Sequence, residues 1–314
     1  MGRMLKQEVG GFDLVHLHSV FLWPTWAAAR AARRFGVPYV LSPRGMLVKD
    51  LVRRKNRWLK QAWIGLVERN NIARAAAIHV TSETEATELS RFALTMPHMI
   101  TIPNGLSLPG AEVVTNASSD VASILRRPGL VLFLGRVHWK KGLDRLIPAL
   151  TAVPDAHLAI VGNDEEGLLP GLEALVERHG LRDRVSFLPR VVERVDRDRL
   201  MAAAKVFALA SYSENFGNTV LEAMALGCPV LVTPEVGAAE IVRESGGGRV
   251  VSGDPPVFGQ ALRDLLGDPE RAEIGARGRR FVAARFSWAG IAERMEKAYF
   301  ELSNSPVAER PDLQ

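Results

Sequence analysis

The chain has one cysteine, Cys228, among 314 residues. A lone thiol excludes an internal disulfide and suits a reducing compartment such as the cytoplasm. Placed between a helix end and an apolar strand, Cys228 reads as a small buried residue rather than a nucleophile. No apolar run approaches the ~18 residues that span a bilayer, and Met1 to Gly10 is too mixed in polarity for a secretory signal. Aromatic residues make up 7%, and no recognised RNA-binding motif is present, so the net charge of +5 does not by itself imply nucleic acid. The seven histidines are scattered, and His16 and His18 lack a carboxylate or thiolate beside them, so no metal site is expected. Repeats with a period of about 20–50 residues are absent.

What is present is ordinary globular material, 47% apolar and 24% charged, at a length that favours two domains. Short β-rich runs alternate with segments of helical period. Strands are expected at Leu14–His18, Tyr39–Leu41, Ala77–Thr81, Met99–Ile102, Leu130–Leu134, His157–Val161, Val185–Leu188, Val206–Leu209, Val230–Val232 and Arg249–Val251. Leu143, Leu146, Ile147 and Leu150 typify the helices between them. Such alternation implies parallel sheets covered on both faces, with ligands at the carboxyl ends of the strands. Glycine, proline, serine and asparagine crowd the stretch from Asn104 to Gly129. The reading is therefore a first domain over 1–108, a linker over 109–128 and a second domain over 129–286. A C-terminal helix over 287–302 and a disordered polar tail over 303–314 complete it.

Two stretches carry the chemistry. In the first, the strand Val206–Leu209 leads into a polar loop with Glu214 and Phe216-Gly217. A helix then starts near Gly217 or Asn218 and carries Glu222 on its second turn. Two carboxylates thus flank one helix N-terminus, where amides attract an anion and acids accept from hydroxyls. In the second, the strand Leu130–Leu134 ends at Gly135, Arg136 and Lys141 bracket a short loop, and Gly142 opens a helix. A guanidinium and an ammonium there make a diphosphate clamp that stabilises charge on a departing leaving group. Lys140 reads as the exposed neighbour of Lys141.

The pattern Gly135-Arg136-x4-Lys141-Gly142, followed by Glu214-x7-Glu222, resembles glycosyltransferase family 4 from about Asp13 to Tyr299. The resemblance implies a GT-B fold: two Rossmann-like parallel-sheet domains facing a cleft. It implies metal-independent transfer, with retention, from a nucleotide-diphosphate sugar, and no cofactor. By that resemblance Arg136 and Lys141 hold the donor diphosphate, Glu214 faces the donor sugar and Glu222 binds the ribose. Phe216, Gly217, Asn218 and Thr219 line the sugar and phosphates, and Gly162 lies near the nucleoside. Arg190 and Val191 belong to the segment that meets the base by backbone contacts. Glu214 is expected to orient the sugar and stabilise positive charge, although spacing alone does not separate that role from a nucleophile's.

The N-terminal half addresses the acceptor. His18 ends a strand resembling the one that leads to the cleft. At Pro43-Arg44-Gly45-Met46, many relatives have His-Gly; arginine cannot act as a base, so a donor-phosphate or acceptor-anion contact is expected of Arg44, beside Gly45. This variant resembles transferases of exopolysaccharide and lipopolysaccharide assembly. The segment from Lys49 to Arg69 sets Arg53, Arg54, Lys55, Arg57 and Lys60 among Leu51, Trp58, Leu59, Trp63, Ile64 and Leu66. It reads either as a basic amphipathic helix that docks on an anionic membrane or as a surface helix packed on its own sheet. Ser82 or Thr84 reads as a helix cap.

The resemblance also implies an earlier strand and glycine-rich loop, so the N-terminal domain is expected to be shortened and incomplete. The expected function is transfer of a hexose to a glycan or lipid-linked acceptor in cell-surface polysaccharide synthesis. That places the protein in the cytoplasm, in peripheral contact with the membrane. The alternatives are a non-catalytic nucleotide-sugar-binding protein and an epimerase of the same architecture. The base could be uridine, guanosine or adenosine, because the backbone contacts that the resemblance implies leave little side-chain trace.

Overall fold

The computed structural model describes residues 8–49, 52, 57–108 and 117–304. The chain forms two compact units, Met1–Asn104 with Ala289–Gln314, and Gly105–Trp288. All ten expected strands form, with ends shifted by no more than a residue. No helix among the described residues is long and apolar enough to cross a membrane.

In the first unit, β1 (Val15–His18), β2 (Tyr39–Ser42), β3 (Ala77–Val80) and β4 (Met99–Thr101) make a parallel sheet in that order. Every residue of β2 and β3 is buried, as a parallel sheet covered on both faces requires. Helix α1 (Trp23–Phe35) follows β1; it starts at a proline in its first turn and stops at Gly36 in the left-handed conformation. The basic segment forms α2 (Arg57–Trp63), one π-helical turn (Ile64–Glu68) and α3 (Arg69–Ala73). The exposure of this segment is divided. Ile64 packs on the core of the unit and Glu68 is fully buried. Trp58, Leu59 and Leu66 instead face outward, at 76%, 70% and 82% exposure. Arg53, Arg54 and Lys55 lie outside the described residues. Helix α4 (Glu83–Ser90) is capped by the Ser82 hydroxyl, which accepts from the Glu85 N–H at 3.2 Å.

The second unit holds β5 (Leu130–Leu134), β6 (His157–Val161), β7 (Val185–Leu188), β8 (Val206–Leu209), β9 (Val230–Val232) and β10 (Gly248–Val250). They form one parallel sheet in the order β10-β9-β8-β5-β6-β7. The chain runs outward from β5 to β7, then crosses back to place β8 on the other side of β5. The carboxyl ends of β5 and β8 are therefore the point where strand order reverses, the position such sheets use for ligands.

The expected linker over 109–128 needs correction. Helix α5 (Ser119–Leu125) lies inside it and buries Val121 and Ile124 against the core, while residues 109–116 lie outside the described set. Two buried apolar residues on one short helix were too weak a periodic signal beside the surrounding glycine and proline. Helices α6 (Leu143–Ala149), α7 (Leu169–Arg178), α8 (Arg194–Ala203), α9 (Asn218–Ala225), α10 (Ala239–Ser245), α11 (Pro255–Gly267) and α12 (Arg271–Arg285) complete the unit. Helix α13 (Trp288–Asn304) takes in Ser303 and Asn304, which the sequence reading gave to the tail.

Phe207 on β8 is fully buried, in register with Leu132 of β5 and Val230 of β9. Phe207→Ala should cost about 3–5 kcal/mol through lost burial and the cavity left behind. Urea unfolding checks this, and a loss below about 1 kcal/mol would contradict the packing described.

Candidate functional site

In the second unit the loop after β5 turns through a 3-10 turn, Trp139–Lys141, into Gly142. Gly142 has φ +66°, and a Cβ there would lie 1.9 Å from the Ala210 carbonyl oxygen. Only glycine lets this loop press against the end of β8. That approach delivers Lys141 to Glu214, and the Lys141 Nζ and a Glu214 carboxylate oxygen form an ion pair between residues 73 apart in sequence. Both side chains are mostly buried, at 17% and 20% exposure, so each charge depends on the other or on a ligand that replaces it. The Glu214 backbone is fixed from both sides: its N–H donates to the Glu235 carbonyl at 3.0 Å, and its carbonyl accepts from the Gly237 N–H at 2.9 Å. Phe216 is buried and anchors the loop, and Gly217 caps α9, so that Asn218 and Thr219 occupy its first turn. A helix N-terminus carries the positive end of the helix dipole, which favours an anion.

Glu222, one turn further, has a carboxylate oxygen 3.6 Å from the Arg197 guanidinium of α8. Burial raises its carboxyl above the usual range, Arg197 pulls it down, and Asp198 adds to the rise. Arg136 is exposed and donates to Glu165 at 2.9 Å. The sequence reading missed Glu165 and its neighbour Glu166, which accepts from the Trp139 N–H at 3.2 Å. The acidic run Asp164-Glu165-Glu166 was the available signal. Gly135 and Gly162 meet at the ends of β5 and β6, where a Cβ on Gly162 would lie 2.0 Å from the Gly135 carbonyl oxygen. Arg190 turns toward α5, donating to both Asp120 oxygens and to the Ser118 hydroxyl at 2.8–3.2 Å. That guanidinium holds the Asp120 carboxyl down at about 2. Val191 beside it is exposed.

In the first unit, His18 ends β1, and Arg44 and Gly45 follow β2. Arg44 adopts a left-handed φ of +54°, uncommon for a residue with a side chain. Two buried acids that the sequence reading did not single out hold these loops. Glu85 accepts from the Gly45 N–H at 2.6 Å and, through its other oxygen, from the Thr81 N–H and hydroxyl at 2.8 and 3.0 Å. Glu68 accepts from the Phe21 N–H at 2.8 Å and the Trp63 indole at 2.9 Å. The Arg44 guanidinium reaches His18 Nδ1 at 3.2–3.3 Å and Asn104 Oδ1 at 2.9 Å. Behind them runs a chain of polar contacts. Tyr299 OH meets His16 Nδ1 at 2.5 Å, and His16 Nε2 meets Ser42 Oγ at 2.6 Å. Ser42 Oγ then meets His79 Nδ1 at 2.8 Å, and His79 Nε2 meets the Ile102 carbonyl at 2.8 Å. Burial is the main cause that lowers His16 to about 3 and His79 to about 4.

Gly142→Ala should destabilise the second unit by more than about 1 kcal/mol, because φ is positive and no space exists; an unchanged urea midpoint would contradict the close approach. A pH dependence follows from His16 and His79. Each is lowered from 6.5, so between pH 6.5 and about 4 the unfolded chain binds more protons than the folded one. Their contribution is fully present above 6.5 and is lost as pH falls through that window. Hydrogen exchange of β1 and β3 amides, corrected for intrinsic rate, should accelerate from pH 6.5 to pH 4; flat protection would exclude neutral buried imidazoles.

Two family models cover most of the chain: glycosyl transferases group 1 over residues 117–281 and a glycosyl transferase 4-like domain over residues 1–105. The chain is 31% identical over 309 residues to D-inositol 3-phosphate glycosyltransferase of Xylanimonas cellulosilytica, covering 92% of this chain and 72% of that protein. Among solved structures it resembles sucrose-phosphate synthase from Thermosynechococcus elongatus, with a TM-score of 0.73 and 25% identity over 93% of this chain and 74% of that one. It also resembles Anabaena HepE (Alr3699) in complex with UDP and glucose, with a TM-score of 0.77 and 22% identity over 96% of this chain and 81% of that one. With two parallel-sheet units of the GT-B type and both models matched, the chain belongs to the group 1 glycosyl transferases.

Proposed function

We propose that this protein moves a hexose, with retention of configuration and without a metal, from a nucleoside diphosphate sugar to a glycan or lipid-linked acceptor in cell-surface polysaccharide assembly. The observation that carries this reading is the Lys141–Glu214 ion pair at the strand-order reversal, beside the first turn of α9. An ammonium, an exposed guanidinium at Arg136 and helix amides offer positive charge to a diphosphate. Glu214 and Glu222 accept from hydroxyls of the sugar and the ribose. The solved relatives add support, since HepE is described in complexes with UDP and with UDP-glucose.

In this reading the donor diphosphate takes over Lys141 from Glu214, which then turns to the sugar. As the anomeric C–O bond breaks, negative charge grows on the diphosphate, where Lys141 and Arg136 stabilise it. The acceptor hydroxyl adds on the same face, and its proton passes to the departing phosphate oxygen. Glu214 orients the sugar and steadies positive charge at the anomeric carbon. Glu222 is a carboxylate whose burial costs stability until a ribose satisfies it. A place on the cytoplasmic face of a membrane is supported by exposed Trp58, Leu59 and Leu66 beside Arg57 and Lys60. Basic and apolar groups together favour an anionic lipid surface.

Lys141→Ala should lower kcat for transfer from nucleoside diphosphate hexoses by about 10²–10³-fold, the usual loss when one charge-stabilising group is removed. Retained circular dichroism with near-normal turnover would sink the role. Glu222→Gln should weaken donor binding in calorimetry while protein stability at pH 7 holds or rises, since a raised carboxyl pKa means ionisation opposes folding above the unfolded value. Lower stability with unaltered donor affinity would contradict this. Donor binding without transfer to any acceptor would identify a binding protein instead of an enzyme.

A further inference from the structure

In the second unit the loops after β5 and β6 lie edge to edge. Gly162 presses on the Gly135 carbonyl, and the Val137 N–H donates to the Asn163 carbonyl at 2.8 Å, in a parallel bridge between Val137 and Asp164. The loop after β6 then turns into α7, because the Asp164 carboxylate accepts from the Leu168 and Leu169 N–H groups at 3.0 and 2.9 Å. The next two acids face the other loop. Glu166 accepts from the Trp139 N–H at 3.2 Å, and Glu165 accepts from Arg136 Nη1 at 2.9 Å. An acidic turn is thereby laid against a basic loop, and backbone contacts set the distance between them. His138 lies 3.5 Å from the other Glu166 oxygen, but burial is the main cause that lowers its pKa, so it adds little charge at pH 7. Arg136–Glu165 is the fully charged pair of this contact.

Both partners of that pair are open to water, at 62% and 38% exposure. Such a pair is weak, because solvent and salt screen it and two long side chains are immobilised to make it. The mostly buried Lys141–Glu214 pair is the opposite case. Glu165 also has a second contact on its own loop, since its other oxygen accepts from Asn163 Nδ2 at 3.4 Å. The carboxylate keeps that partner when Arg136 turns away. A diphosphate brought to the same guanidinium meets a carboxylate of like charge about one salt bridge away, and the repulsion is relieved when the two part.

We infer that Glu165 is a built-in counter-ion of Arg136 that the donor diphosphate must displace, so that Glu165 sets how tightly a nucleoside diphosphate is held. The Arg136–carboxylate contact is exchanged for an Arg136–phosphate contact, and Glu165 falls back on Asn163. The nucleoside diphosphate product leaves against the same competitor, because Glu165 retakes the guanidinium as the phosphate departs. Glu165 acts through Arg136 and is a positioning residue. The inference rests on the reading of Arg136 as a contact of the donor diphosphate.

The test is calorimetric titration of the full chain with UDP and, separately, with inorganic pyrophosphate, at one low ionic strength. Glu165→Gln should bind UDP about two- to fivefold more tightly than the unaltered chain, the size expected when a competing exposed ion pair is removed. Adding Arg136→Gln should abolish that gain, so the two substitutions are not additive. Glu166→Gln makes the same change of charge one residue away, on a side chain that meets Trp139 and His138, and should not reproduce the gain. A purely structural side chain would give weaker binding on substitution, not tighter. Unchanged or weaker UDP binding by Glu165→Gln overturns the proposal while leaving the donor reading in place. A gain that survives Arg136→Gln, or an equal gain from Glu166→Gln, does the same. Tighter pyrophosphate binding by Glu165→Gln in protein that does not bind UDP would keep the counter-ion and reject the donor reading. An unaltered chain that binds neither probe rejects both.

Discussion

Lys141 and Glu214 are partly buried charges of opposite sign whose pairing requires two backbones to touch. The contact is made at Gly142 against Ala210, where no side-chain carbon fits. Such a pair contributes little net stability, because desolvation offsets most of the Coulomb attraction. Its consequence is placement: a cation and an acid are held together at the strand-order reversal. The six-stranded sheet, the tight loop after β5 and the pinned backbone of Glu214 all serve that placement.

The first unit uses buried acids differently. Glu68 and Glu85 are spent on backbone N–H groups and neighbouring side chains, so their charges hold loops rather than face ligands. Phe21 and Arg44, both in left-handed conformations, each lie at or beside an N–H so held. Strain of this kind persists where surrounding contacts over-determine it, which is characteristic of sites that must be shaped in advance. The histidine chain behind them adds polar contacts without adding charge at neutral pH.

Much of this was legible in the residue order. Short β-rich runs located the ten strands, because buried parallel strands leave an uninterrupted apolar signal. Gly142 announced a loop-to-helix turn, and Ser82 announced a cap. The signal failed where local pattern was weak or where meaning depended on a distant partner. Helix α5 hides in a glycine- and proline-rich stretch. Arg190 gives no hint in sequence that Asp120, 70 residues earlier, will take its guanidinium. Glu85 carries no local sign that it will hold the Gly45 N–H, 40 residues earlier.

The sequence by itself determined the alternation of elements, the parallel sheets and the residue types able to meet a diphosphate, because periodicity and side-chain chemistry are local properties. Tertiary structure decided which of those residues touch. It joined Lys141 to Glu214, turned Arg136 to Glu165, and set His18 against Arg44 rather than against an acid. It also linked His16, Ser42, His79 and the Ile102 carbonyl into one chain of polar contacts, since partners on separate strands are brought together only by folding.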